Sequence, residues 1–163
     1  MGALVVALVA AGCAAPAPPP TTTPVMPPPE RAAEIRSTII AWLECDECSE
    51  GELEAVVKLG QAAVPTLAAS LREGPSPARR EQLRRHLEES HARLKDRSRT
   101  SAAVYVQRYT ENLEGLYRVR AARALSLIGG PVARQALEDA QRQPYRDDVK
   151  QSIEAALARL GKP

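Results

Sequence analysis

From residue 30 onward the sequence predicts an all-α fold, on three observations. Apolar residues recur with the 3.6-residue period of an amphipathic helix, and no segment alternates with the period of two that a half-buried strand needs. Aromatic residues make up only 3% of the chain, with no Phe and one Trp, so the core is built from Ala, Leu, Val and Ile. Such a core suits close-packed helices better than a β-sandwich. The apolar stretches are also closed, one after another, by Gly or Pro, the residues that stop helices.

Ile35, Ile39, Trp42 and Leu43 share one face of a helix predicted over residues 31–43. Ser49 then offers an N-cap oxygen and Glu52 the return carboxylate of a capping box, starting a helix through Val56, Val57 and Leu59 that stops at Gly60. A third helix carries Pro65 in its first turn, where the missing N–H costs nothing, and ends near Gly74. Ser76-Pro77 opens the longest, 78–97, whose Leu83, Leu87 and Leu94 form a thin apolar stripe on a very polar rod. It must be partly exposed. Helices are predicted on either side of Gly115: 102–113, anchored by Val104, Val106 and Tyr109, and 116–128, stopped by Gly129-Gly130. The last two run over 131–141, ending before Pro144, and 147–160, ending at Gly161.

The internal repetition is more specific than any single helix. Ala124-Leu125 with Gly129 recurs 32 residues later as Ala156-Leu157 with Gly161, a spacing in the range of helical solenoids. Leu59-Gly60 with Ala63-Val64-Pro65, Leu67 and Leu71, and Val119 to Ile128-Gly129 with Ala133, Ala136 and Leu137, look like helix–turn–helix junctions of two repeats. Val149, Ile153, Ala156-Leu157 and Leu160-Gly161 look like the first helix of a third. In these residues the chain resembles HEAT repeats of the short bacterial kind, over 51–74 and 116–161; the long basic helix between departs from the pattern. The resemblance implies a short α-solenoid in residues 30–163 that serves as a binding scaffold. Small residues such as Ala121, Ala122 and Ala124 allow the close helix approach that stacking requires.

Ahead of this domain, residues 3–11 form an unbroken run of apolar and small side chains ending in Gly12-Cys13, the pattern of a secretory segment and its cleavage site. Ala10-Ala11-Gly12-Cys13 resembles the lipobox of bacterial lipoproteins. That resemblance implies that residues 1–12 are a signal segment and that Cys13 becomes an acylated N-terminus, anchoring the chain in a membrane without spanning it. No Lys or Arg precedes the run, so the natural start is expected upstream. Ala14 stands where such lipoproteins carry Asp for inner-membrane retention, so the expected location is the cell envelope, on the periplasmic side of the outer membrane. Residues 13–29 are the lipidated Cys and a linker holding eight of the 14 prolines and no charge. At about 3.1 Å per residue in polyproline II, it stands the domain off the bilayer by up to ~50 Å.

Chemistry-bearing residues are few. Cys45 and Cys48 lie in Glu44-Cys45-Asp46-Glu47-Cys48, and outside the cytoplasm a disulfide is the expected state. A thiol-dependent redox enzyme also uses two Cys so spaced, but Glu44, Asp46, Glu47, Glu50 and Glu52 crowd these thiols with negative charge that blunts a thiolate. His86 and His91 complete a set for zinc on paper, but lie five residues apart and so on different faces of a helix. Redox catalysis and metal binding at Cys45 and Cys48 therefore stand as alternatives. No nucleophile elbow, phosphate loop or metalloprotease motif occurs, so no catalytic residue and no cofactor are assigned and a non-enzymatic role is expected.

The net charge of +2 provides no large basic excess, which argues against nucleic acid as a partner. Charge is nevertheless segregated: residues 30–78 hold nine acids and four bases, residues 79–134 thirteen bases and six acids. Arg79, Arg80, Arg84, Arg85, Arg93 and Arg97 concentrate on the long helix, far more cation than packing requires. Arginine's planar fork suits interfaces, so these residues are expected to edge the surface that engages an envelope protein of acidic character or anionic headgroups.

Overall fold

The computed structural model describes residues 28–94 and 99–161, and among them every regular element is helical. The signal segment, Cys13, the linker up to residue 27 and Arg97 lie outside the described residues. Helix α1 (Pro29–Glu44) begins with a proline in its first turn and buries Ile35, Ile39, Trp42 and Leu43, the face its spacing predicts. Helix α2 (Glu50–Lys58) opens on the expected capping box. The Ser49 backbone N–H donates to Glu52 Oε2 at 2.7 Å, and the Glu52 N–H donates to Ser49 Oγ at 3.3 Å.

A single 3₁₀ turn (Gly60–Ala63) joins α2 to α3 (Val64–Glu73). Gly60 supplies the left-handed backbone there, with φ 58°. After Gly74, α4 (Pro77–Leu94) is capped by Ser76, whose Oγ accepts the Arg79 N–H at 3.1 Å. Then follow α5 (Ala102–Ile128), α6 (Pro131–Gln141) and α7 (Asp147–Arg159).

Two expectations are corrected here. Where two helices were expected with a break at Gly115, one helix of 27 residues runs through. Gly115 keeps helical backbone and is buried against the start of α7, where a Cβ would lie 3.4 Å from Asp148 Oδ2, about the edge of ordinary contact. Val104 and Tyr109 are not anchors, being 53% and 47% exposed. The helical period in this segment belongs to a half of α5 that leaves the core, whose first buried residue is Gly115.

Helix α5 is the hub, packing on all six other α-helices. One continuous core runs from Ile35 and Leu43 through Val56, Leu67 and Leu125 to Leu137 and Ile153. Leu87, the one buried residue of α4, stands outside that cluster. Helix α4 packs principally on α5, so the two form a hairpin whose far half leaves the body of the molecule.

Candidate functional site

The arginine-rich helix is placed by the hairpin just described, and its cations divide by position. At the base, Arg79 Nε lies 3.5 Å from Glu44 Oε2 on α1, and Arg80 Nη1 lies 3.1 Å from Glu114 Oε1 on α5. Glu114 also takes Arg118 at 3.2 Å, so one carboxylate ties two cations across the α4–α5 contact. One turn on, Arg84 forks onto Glu81 at 2.7 and 2.9 Å and onto Glu88 at 2.5 Å. The hydrogen bond to Arg84 lowers the carboxyl pKa of Glu81, and Glu81 in turn raises that of Arg84. Arg85 is held only loosely, 3.9 Å from Glu81, and Arg93 bonds the neutral Ser90 hydroxyl at 3.0 Å. Arg79 and Arg80 thus join helices, while Arg84, Arg85 and Arg93 are solvent-exposed.

Arg80 is also one wall of a cleft of about 710 Å³ between α1 and the α3–α4 junction. Ile40, Ala69, Pro75 and Tyr117 give it an apolar floor, and Arg36, with no charged partner among the described residues, stands at its edge. Tyr117 is almost fully buried, with Ser70 beside its phenol. Burial pushes its phenol above the ordinary value of 10.0, Ser70 opposes the rise and the Glu44 charge adds to it. The cleft thus combines an apolar floor with charges of both signs on its walls, Arg36 and Arg80 together with Glu44 and Glu73.

Cys45 and Cys48 form the turn between α1 and α2, with their sulfurs at bonding distance and Cα atoms 5.6 Å apart. Arg120 anchors this turn from α5: its Nη1 donates to the carbonyls of Leu43 at 2.9 Å and Cys45 at 2.7 Å. Burial lowers the Arg120 pKa, against the attraction of Asp46 and Glu52. Cys45 sits at the C-terminal end of α1, the negative end of its dipole, which disfavours a thiolate there. His86 is exposed, and His91 Nε2 lies 2.7 Å from the Thr100 carbonyl, beside Tyr105. No group of three or more His, Cys, Asp or Glu among the described residues gathers as a metal site.

Sequence reasoning missed a set of side chains that cap helix C-termini across the fold, where the last carbonyls have no partner within their own helix. Arg120 does so for α1. Tyr145 reaches the Leu71 carbonyl of α3 at 3.2 Å, and its ring lies 5.2 Å beneath the Arg118 guanidinium. Gln61 donates to the Gly129 carbonyl after α5 at 3.0 Å. Arg134 donates to the carbonyls of Leu160 at 3.0 Å and Gly161 at 2.7 Å after α7. The available signal was a lone donor set among small apolar residues, as in Val119-Arg120-Ala121-Ala122. Comparison of the chain with family models, with curated proteins and with solved structures finds no match in any of the three.

Proposed function

We propose that the chain is a lipid-anchored scaffold of the bacterial cell envelope. Cys13 carries the acyl chains, the Pro-rich segment is the tether, and residues 30–163 form a short α-solenoid of HEAT-like helix pairs. The domain binds another protein and catalyses no reaction. The observation that carries the reading is a burial pattern that recurs at 32 residues: Tyr117, Ala121 and Ala124 correspond to Val149, Ile153 and Ala156, all buried. Side chains from neighbouring segments also tie successive helix ends together, Gln61 after α2 capping the end of α5 and Arg134 within α6 capping the end of α7. Helices α2, α5 and α7 then read as the first members of successive pairs, and α3 and α6, which touch, as the second. A rod braced in this way is organised to present a surface.

The partner-binding edge is the near half of α4 together with the cleft it borders, and the partner is acidic there. Exposed ion pairs contribute only ~0–1 kcal/mol each, so the contact is collective and weakens with salt. Affinity capture from detergent-solubilised envelope tests it, comparing wild type with an Arg36→Glu, Arg84→Glu, Arg85→Glu variant at low and high salt. Arg80 is spared because it braces Glu114. The reading expects a partner lost from the variant and at high salt; an identical, salt-insensitive partner list removes it. The competing reading, a redox enzyme or metal-binding protein at Cys45 and Cys48, rests on the proximity of the two sulfurs. Alkylation of the reduced protein across pH separates the redox case, which needs a thiol titrating well below 7.

A further inference from the structure

Among the described residues, several cations of the hairpin without a carboxylate partner lie at its far end, beside exposed apolar side chains. Arg93 bonds only Ser90, and Arg99 and Arg108 are exposed without an ion pair among the described residues. Among the described acids nearby, Glu88 is taken by Arg84, while Glu89 and Glu111 are charged but form no ion pair with these three arginines. Beside these cations Leu94 is 38% exposed, and Val104 and Tyr109 are more so. Val104 and Arg108 are i,i+4 neighbours on α5, as are Tyr105 and Tyr109, so an aliphatic–cation row adjoins a tyrosine row. His91 stacks against Tyr105 with centroids 5.3 Å apart, and Tyr105 against Tyr109 at 4.6 Å, which fixes the end of α4 beside both rows.

We propose that this far end contacts an anionic lipid surface. Arg93, Arg99 and Arg108 engage headgroup phosphates, while Leu94, Val104 and Tyr109 enter the boundary between headgroups and acyl chains. Arginine stems lie along apolar surface with the guanidinium in the polar layer, and tyrosine prefers that layer for its apolar ring and polar tip. A bilayer suits these residues better than a protein does. They sit on the end of a two-helix projection and line neither the cleft at its base nor the one beside Cys48, whereas a protein partner gains affinity from filled pockets. The contact acts in addition to the acyl anchor and is independent of it.

Flotation with phospholipid vesicles tests this, using the mature chain from residue 13 with Cys13→Ser so that neither the signal segment nor an acyl group contributes. Vesicles of phosphatidylcholine are compared with vesicles carrying about a third phosphatidylglycerol. Binding is expected only to the anionic vesicles and falling with salt. Each surface arginine is worth roughly a fivefold change in partitioning, so Arg93→Gln, Arg99→Gln, Arg108→Gln together should lower it about a hundredfold. Leu94→Ser with Val104→Ser should also lower it, while Arg84→Glu with Arg85→Glu should have much the smaller effect. These residues are exposed, and helical circular dichroism verifies that each variant is folded. The proposal is overturned if the anionic vesicles are not bound, if the distal variants bind as the parent does, or if soluble polyglutamate competes fully and Leu94 and Val104 prove irrelevant. That last result would mark an acidic protein site instead.

Discussion

Arg120 ties α5 to the end of α1 and the Cys turn through the carbonyls of Leu43 and Cys45. Truncating it to Ala leaves both acceptors short of a partner in a half-buried place, a loss of about 1–3 kcal/mol in urea unfolding. Arg120→Lys should recover part of this, since one Arg120 nitrogen serves both carbonyls and an ammonium also carries several N–H donors, on a differently shaped stem. Tyr117 gives a pH signature. Burial raises its phenol, so the folded chain holds the proton more tightly than the unfolded chain. The stability this gives is present below pH 10.0 and is lost as pH climbs through the raised value. Thermal melts above pH 10 should therefore decline more steeply for wild type than for Tyr117→Phe, and an equal slope would mean that the phenol is not buried as described. Neither role was legible in the sequence. An arginine in a helix with an apolar face reads as solvent-facing until a neighbour's carbonyls are placed beside it, and a tyrosine's polar end needs its partner located.

At the scale of elements, caps and stops were legible because each is written within a few residues. Ser49 with Glu52, Pro65, Gly74, Gly129 and Gly161 fall where the chain uses them. What failed was the treatment of Gly115 as a stop. A glycine stop of this kind uses the left-handed backbone that Gly129 adopts at φ 70°, whereas Gly115 stays in the helical region inside α5, and sequence alone does not separate the two. The long polar helix was correctly expected to be partly exposed, but that it pairs with α5 into a projecting hairpin depended on long-range contacts. Leu87 is its buried residue, separate from the main core. Leu87→Ala should cost about 2 kcal/mol and act locally. Hydrogen exchange is expected to speed up over α4 and the first half of α5 while amides of α6 and α7 keep their protection; uniform loss would mean that the hairpin belongs to the main cooperative unit.

For the molecule as a whole, the segregation of acid and base along the chain becomes a set of ties between segments. Arg79 meets Glu44 and Arg123 meets Glu50, so basic α4 and α5 are drawn onto acidic α1 and α2. Those contacts use some of the charge that the sequence offered to a partner. The exposed cations divide between the near half of α4, where Arg84 and Arg85 keep solvent-exposed ion pairs within their own helix, and the far end of the hairpin. The central claim is that the near half is where an envelope partner docks. Site-specific photocrosslinking in living cells tests it most directly, with the crosslinker placed in turn at Arg84 or Arg85 on the proposed edge and at Glu154 or Lys150 on exposed α7. The account predicts one discrete crosslinked species from the α4 positions, absent from α7 and diminished by Arg36→Glu. Equal crosslinking from both helices, or a discrete species from α7 alone, would contradict it.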